Sequence, residues 1–212
     1  MNKKFRDRTD AGRQLALKLA SYAAAECPQS ILLGLPRGGV LVAAPIAQIL
    51  QVPLDLCLVH KLGVPGNAEF AMGSIDLQGR RYLHEHTIAD LRISPAQIDR
   101  VAEIELQELQ RRDRAYRGDR PPLDVRDRVV ILVDDGLATG ATMKAAIAVV
   151  RSQNPAQIVV AVPVAFPDTI DELRPTVDAI VCLMLPTPFD AIGSWYENFA
   201  QTTDEEVCAA LN

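Results

Sequence analysis

The stretch that decides the fold is Val129-Val130-Ile131-Leu132-Val133-Asp134-Asp135-Gly136-Leu137-Ala138-Thr139-Gly140-Ala141-Thr142-Met143. Its uninterrupted apolar start predicts a strand buried on both faces, which is typical of a parallel sheet covered by helices. The strand ends in two adjacent carboxylates, and open parallel sheets bind their ligands at the carboxyl ends of their strands. A turn of small and hydroxylated residues then leads into a helix that we predict over 141–152.

The turn at 138–142 is suited to hold a phosphate group. Small residues let successive main-chain N–H groups converge on one anion, and the following helix N-terminus adds a partial positive charge. The chain has neither the Gly-Lys-Ser/Thr of a triphosphate loop nor a G-x-G-x-x-G dinucleotide loop. Since carboxylates repel anions, Asp134 and Asp135 suit sugar hydroxyls or a metal ion. Together these features predict a site for a sugar phosphate.

The strand–turn–helix pattern recurs along the chain. Further buried strands are predicted at 31–35, 54–59, 158–165 and 179–184. Because these strands alternate with helices, we predict an α/β fold with a doubly wound parallel sheet. Between the second and third strands the pattern changes, and we expect a loop over 62–69, a hairpin over 70–84 and a long charged helix over 96–117.

Composition excludes several classes of protein. The 212 residues are 49% apolar with a net charge of −5, which argues against a sequence-independent grip on nucleic acid or on an anionic membrane. The four cysteines are too scattered for a disulfide framework or a zinc ribbon. The basic N-terminus has no apolar stretch of signal-peptide type, and the longest apolar run is too short to cross a bilayer. We therefore expect a cytoplasmic protein with no nucleic-acid or membrane partner.

At the 129–142 stretch the chain resembles the type I phosphoribosyltransferases, whose signature is a hydrophobic strand, two acidic residues and a short linker to Thr-Gly-x-Thr. The resemblance implies that Asp134 and Asp135 bind the ribose hydroxyls of phosphoribosyl pyrophosphate (PRPP). It also implies that they contact Mg²⁺, either through water or through those hydroxyls. The residues it assigns to the 5′-phosphate are Ala138, Thr139, Gly140, Ala141 and Thr142.

Two further loops carry the resemblance. The first is Leu35-Pro36-Arg37-Gly38-Gly39, after the first core strand, where this family places its pyrophosphate loop. Arg37 then faces the diphosphate with a permanently charged planar fork, and the resemblance also assigns Pro36, Gly38 and Gly39 to pyrophosphate binding. The second loop, 60–66, is similar to the mobile loop of adenine-type members, which makes Lys61 the other expected diphosphate cation.

One position departs from part of the family. The 6-oxopurine salvage enzymes usually carry an aspartate where this chain has Ala138. The resemblance therefore disfavours hypoxanthine or guanine as the acceptor, and the tail over 192–206 is similar to a bacterial subgroup whose acceptor is unassigned.

The resemblance implies a single domain over 1–212. Its core would span about 27–184, its hood about 1–26 and 185–212, and an insertion about 70–117. We expect the hood to bind the acceptor, with Trp195, Tyr196 or Phe189 stacking on a planar ring, although core packing explains these aromatic residues equally well. Members of the family are commonly dimers, so we expect a homodimer.

The expected activity is transfer of the 5-phosphoribosyl group from PRPP to a nitrogen acceptor such as a nucleobase, with Mg²⁺ as cofactor and pyrophosphate released. The same scaffold also serves as a PRPP- or nucleotide-sensing regulatory module without turnover, and the sequence leaves that alternative open. No general base is evident, although loops carry Glu69, Asp190 and Glu197.

Overall fold

The structure, a computed structural model, describes residues 4–211, without the side chains of Ala68 and Glu69. In chain order its helices and strands are α1 (Arg8–Lys18), β1 (Ser30–Gly34), α2 (Gly38–Leu50), β2 (Leu54–Leu56), β3 (Val59–Val64), β4 (Asn67–Asp76), β5 (Arg81–Leu83), α3 (Glu85–Asp90), α4 (Pro95–Arg117), β6 (Val129–Val133), α5 (Ala141–Arg151), β7 (Gln157–Val164), α6 (Pro167–Leu173), β8 (Ala179–Met184) and α7 (Asp204–Ala210). Short 3-10 helices lie at Ala20–Tyr22, Arg174–Thr176 and Ile192–Trp195. Within the described part of the chain, no helix combines the length and apolar character that a membrane span needs.

The centre of the fold is a parallel sheet of five strands in the order β2-β1-β6-β7-β8. In the β1–β6 register Ser30 lies opposite Val129 and Gly34 opposite Val133, so the turns that follow these two strands emerge side by side. All five strands therefore end at one edge of the sheet. The predicted α/β fold with a doubly wound parallel sheet is confirmed.

Strand β6 is buried throughout because helices cover both faces of the sheet. Val130 and Leu132 pack toward α5 and α6, whereas Ile131 and Val133 pack toward α1 and α2. Each such side chain, when fully buried, stabilises the fold by about 1.5–3 kcal/mol relative to exposure. This is the physical reason why an uninterrupted apolar run, rather than an alternating one, occupies the central strand.

Helix α4 is anchored to the core by a buried ion pair. Ser94 and Gln97 form a capping box at its start, with Pro95 in the first turn. At its other end Arg117 lies 3.0 Å from Asp55 of the sheet, and the two side chains are only 4% and 11% exposed. Removing one partner of such a pair typically costs about 3–5 kcal/mol, so the contact fixes where the helix lies.

The prediction of a loop over 62–69 is wrong. These residues belong largely to β3 and β4, the first two strands of an antiparallel sheet in the order β3-β4-β5. Leu62 is fully buried and packs with Met72 and Ile75, which stabilises the pairing. The β3–β4 register shifts on both sides of Gly63, so the apolar alternation is interrupted and the sequence alone does not show it.

The segment before α1 and the segment after β8 meet over the carboxyl edge of the main sheet. The Phe5 N–H donates to the Trp195 carbonyl at 2.9 Å, and the Glu197 N–H donates to the Phe5 carbonyl at 2.8 Å. The carboxylate of Asp7 caps helix α1 by accepting from the Asp10 N–H at 2.7 Å. These contacts place the start of α1 beside the turn that follows β6.

Candidate functional site

The acidic pair lies at the middle of the carboxyl edge, directly after β6. Asp134 and Asp135 line an open cavity of about 300 Å³. The same cavity is lined by residues 136–143, which include the whole turn predicted to hold a phosphate, and by Lys61 from β3. The fold therefore brings the carboxylates, the turn and one of the two predicted cations into a single cavity.

The phosphate turn offers main-chain donors at the start of α5. Gly140 begins this helix with φ of 67°, and among the described residues no side chain caps it. The Ala141 N–H has only a long contact of 3.5 Å with the Thr139 hydroxyl. A Cβ on Gly140 would stand 2.6 Å from Cγ2 of Thr169, so space and backbone conformation both require glycine here.

The turn after β1 packs directly against the acidic pair. Its Pro36–Arg37 peptide bond is cis. A Cβ on Gly38 would lie 1.9 Å from Oδ2 of Asp135, and a Cβ on Gly39 would lie 2.9 Å from Cα of Asp134. The two glycines of the predicted pyrophosphate loop are thus the residues that allow the turns after β1 and β6 to touch.

The two predicted diphosphate cations line different cavities. Arg37 borders a second open cavity of about 340 Å³ whose other lining residues are 201–205 of the tail. Its guanidinium lies 3.8 Å from the Asp204 carboxylate, and both side chains are more than a third exposed. Lys61 instead borders the cavity of the acidic pair. The structure therefore does not bring Arg37 and Lys61 to one point.

A third cation, Arg8, touches the acidic pair and was missed by the sequence analysis. Its Nε donates to Oδ2 of Asp135 at 2.8 Å, and the two side chains are 11% and 14% exposed. The sequence shows only that the N-terminus is basic. Nothing in the order of residues indicates which N-terminal cation reaches a carboxylate 127 positions away.

The environment of the acidic pair raises the pKa of both carboxyl groups. Burial raises the pKa of Asp134 well above its usual range, and the neighbouring charge of Asp135 raises that pKa further. Burial also raises the pKa of Asp135, an effect that the Arg8 guanidinium opposes. The cavity therefore carries less negative charge than two free carboxylates would give it.

Tyr196 packs in the core, which is the second of the two roles that the sequence left open for it. The side chain is buried, and its ring lies between those of Phe5 and Phe199, with centroids 5.4 Å and 4.9 Å away. Its hydroxyl donates to the main-chain carbonyl of Asp135 at 2.6 Å. Trp195 packs in the same apolar cluster. Tyr196 thus stabilises the main chain of the acidic loop through this hydrogen bond.

The more open aromatic pair at this edge is Phe166 with Phe189. Phe166 follows β7, is 38% exposed, and its ring centroid lies 5.9 Å from that of Phe189. Its N–H donates to the carbonyl of Leu137 at 2.9 Å, which ties it to the loop that carries the acidic pair. Phe189 is predicted from the sequence but Phe166 is not, although the position of Phe166 directly after a predicted buried strand was a usable signal.

The described residues show no group of three or more His, Cys, Asp or Glu side chains placed to hold a metal ion. Of the residues named as general bases, Asp190 accepts from the Ser194 hydroxyl at 3.3 Å and Glu197 is exposed. The side chain of Glu69 lies outside the described residues. The geometry thus assigns no general base.

Comparisons with known proteins place the chain in a family. The family profile described as phosphoribosyl transferase domain matches residues 6–193. Two curated sequences from Mycobacterium tuberculosis, strains CDC 1551 and H37Rv, are named as phosphoribosyl transferases on a provisional basis. Each is 43% identical over 210 residues, which is 99% of this chain. The chain spans about half the length of these relatives, 47% of each.

A solved structure is similar over nearly the whole chain. The crystal structure of TT1426 from Thermus thermophilus has 41% sequence identity and a TM-score of 0.86, and the match covers 98% of this chain and 97% of that one. The resemblance seen in the sequence is confirmed by the family match, which includes both turns of the site. The chain belongs to the phosphoribosyl transferase domain family.

Proposed function

We propose that the protein is an enzyme that transfers the 5-phosphoribosyl group of PRPP to a nitrogen acceptor and releases pyrophosphate. The observation that carries the proposal is the single cavity lined by Asp134, Asp135, Lys61 and the uncapped turn before α5. A sugar phosphate is the ligand class that uses both halves of this cavity, since carboxylates suit hydroxyls and main-chain N–H groups suit a phosphate.

In the proposed reaction the lone pair of the acceptor nitrogen forms a bond to C1 of the ribose. The bond from C1 to the diphosphate oxygen breaks, and its electron pair leaves with pyrophosphate. Positive charge develops on the ribose ring, so fixed carboxylates beside the ring stabilise this state. Asp134 and Asp135 would orient the ring through its hydroxyls, while the start of α5 holds the 5′-phosphate. Arg37 would balance charge on the departing diphosphate, and Lys61 would add positive charge beside the acidic pair.

The residues present fit Mg²⁺ only in part. Mg²⁺ prefers one or two carboxylates together with phosphate and water oxygens. The acidic pair can supply that number, but Asp135 is already paired with Arg8. Asp134, directly or through water, is therefore the protein ligand that we propose. When bound, Mg²⁺ would neutralise charge on the diphosphate.

The strand order supports an acceptor site beside Phe166. Strand β1, with the Arg37 turn, lies on one side of β6, and β7 and β8 lie on the other. In a direct displacement the acceptor approaches C1 from the side opposite the leaving group. If the diphosphate lies toward Arg37, a planar nitrogen heterocycle would lie toward Phe166 and Phe189.

The test is pyrophosphate release from PRPP and Mg²⁺ with adenine, guanine, xanthine, uracil, orotate or nicotinate, followed by mass spectrometry for a ribosylated product in a metabolite extract. The proposal expects release with at least one acceptor and none from Asp135→Asn. Calorimetric binding of PRPP without release in any mixture would favour the sensing module. No binding of PRPP would overturn the proposal altogether.

A further inference from the structure

The acidic pair is held by a structure that lies outside the motif. Arg8, the first residue of α1, reaches Asp135 through an Nε–Oδ2 bond of 2.8 Å. A side-chain pair that is 11% and 14% exposed is well shielded from water, so it is weakened by salt much less than a surface pair.

The Arg8 guanidinium is fixed from two further directions. It lies over the ring of Phe199, with 4.0 Å from its central carbon to the ring centroid. Its Nη1 donates to the main-chain carbonyl of Ala200 at 2.8 Å. Both partners belong to the C-terminal tail. A guanidinium donates in a rigid planar fork, so fixing it also fixes the carboxylate that it binds.

Asp135 is held from the main-chain side as well. The Tyr196 hydroxyl donates to its carbonyl at 2.6 Å, and its Oδ2 occupies the space that a Cβ would need at Gly38. Its own N–H donates to Oδ1 of Asp134 at 2.9 Å, which ties the two acidic residues to each other. Side chain, main chain and the neighbouring turn therefore leave the Asp135 carboxylate little freedom.

We propose that Arg8 is a positioning residue of the sugar-phosphate site, holding Asp135 against Gly38 and compensating its charge so that the ribose hydroxyls meet a fixed acidic face. The inference rests on the proposed function, since it assumes that a ribose occupies this cavity. It makes the start of α1 and the tail near Phe199 part of the site, because each holds one side of the same guanidinium.

The position and charge of Arg8 predict that its loss weakens the binding of some ligands more than others, which can be measured. A residue that orients the carboxylates should matter for ligands with ribose hydroxyls. It should matter little for an anion that binds only the turn before α5. Loss of a residue that orients a metal ligand typically costs about 10–100-fold in metal affinity, and we take the same range for a residue that orients a sugar-binding carboxylate. We therefore expect Arg8→Gln to weaken ribose 5-phosphate binding about ten-fold or more, and inorganic phosphate binding less than about two-fold.

Arg6→Gln is the matched control. It removes the same charge from a position two residues away. The Arg6 side chain is 67% exposed and pairs with Asp10 in the first turn of α1. Calorimetry with ribose 5-phosphate, inorganic phosphate and PRPP would be run on both variants and on the natural protein. Arg6→Gln should leave all three affinities within about two-fold.

Two gentler variants keep the test valid if Arg8→Gln unfolds. Arg8→Lys keeps the charge but not the planar fork, and Phe199→Leu keeps both hydrogen bonds but removes the ring under the guanidinium. Each should give a smaller selective loss for ribose 5-phosphate, and circular dichroism checks that each folds.

Three results would overturn the inference. Equal losses for ribose 5-phosphate and inorganic phosphate would reduce Arg8 to a general source of positive charge. Ribose 5-phosphate binding by folded Arg8 variants that matches the Arg6 control would remove the positioning role while leaving the proposed function intact. A natural protein that binds neither PRPP nor ribose 5-phosphate would overturn both.

Discussion

Gly38 and Asp135 lie so close that a single added carbon on Gly38 would stand 1.9 Å from Oδ2 of the carboxylate. The contact joins the turn after β1 to the turn after β6, which are neighbours because the strands pair in parallel. The glycine is therefore required by the acidic side chain opposite it, and the acidic side chain has its position partly because the glycine leaves room.

Gly38→Ala should displace Asp135 and break its bond to Arg8. The displaced atom is the end of a side chain, so we expect the fold to survive and the affinity for ribose 5-phosphate to fall about ten-fold or more. Calorimetry on the purified variant measures this. Gly118→Ala is the control, because a Cβ there meets nothing within 4 Å, although it carries a left-handed backbone cost at φ of 59°. Equal effects of the two substitutions would show that the contact at Gly38 has no special role.

Gly140→Ala should both destabilise the protein and weaken phosphate binding. A left-handed conformation costs a residue with a Cβ about 1–2 kcal/mol, and the clash with Thr169 at 2.6 Å adds to that cost. Adding Thr169→Ser removes the clashing methyl group but keeps the hydroxyl that donates to the Ala138 carbonyl. Urea unfolding of the single and double variants separates the two costs. If Thr169→Ser restores no stability in the Gly140→Ala background, the steric part of this explanation is wrong.

Asp134→Asn should stabilise the fold and abolish turnover. Because burial raises the pKa of Asp134 in the folded state, ionising it costs stability as the pH rises from the ordinary value of 3.8 through the raised one. Asparagine carries no charge, and its Oδ1 can still accept the bond that the Asp135 N–H makes at 2.9 Å.

The gain of Asp134→Asn should therefore be a few degrees in Tm at neutral pH and should vanish in acid, where the natural carboxyl is protonated both folded and unfolded. Thermal unfolding at pH 7.5 and at about pH 2.5, which is more than one unit below the ordinary value of 3.8, gives the comparison. A variant less stable than the natural protein at both pH values would contradict the claim that ionisation of the Asp134 carboxyl destabilises the fold.

Arg37→Ala should weaken PRPP much more than ribose 5-phosphate. Arg37 lines a cavity separate from the turn that would hold the 5′-phosphate, so its loss removes charge only where a diphosphate would lie. Hydrogen bonds to charged groups are worth about 1.5–3 kcal/mol, which corresponds to about a ten- to hundred-fold loss for PRPP. Competitive binding of the two ligands measures the ratio, and a ratio near one would give the Pro36–Gly39 turn a purely structural role.

Phe166→Ala should raise the KM for the acceptor while the affinity for PRPP stays unchanged. Aromatic pairs contribute about 0.5–1.5 kcal/mol beyond the area they bury, so the expected rise is about three- to ten-fold. Leu91→Ala is a suitable control, because that side chain is also exposed but directly follows α3, away from the ends of β7 and β8. An unchanged KM for Phe166→Ala would show that the acceptor does not bind at the ends of β7 and β8.

Much of the site could be predicted from local sequence. The apolar run of β6, the acidic pair and the Thr-Gly-Ala-Thr turn are consecutive, so their relative positions follow from the backbone of one strand, one turn and one helix. The five core strands were also predicted to within about one residue, except at 54–59, where β2 is shorter. They could be predicted because buried parallel strands are continuous apolar runs bounded by turn residues. Residues 62–69 were wrongly predicted as a loop, because the register shifts at Gly63 interrupt the apolar–polar alternation that is typical of a hairpin.

What the order of residues determined by itself was the strand that ends in two carboxylates, the phosphate turn after it and the family that shares them. What only tertiary structure decided was which distant groups meet that strand end. Arg8 reaches Asp135, Tyr196 packs behind it, and Arg37 and Lys61 line separate cavities. The reason is physical: local patterns set the conformation of neighbours along the chain, whereas contacts across more than a hundred residues depend on strand order and on how both chain ends pack over the sheet.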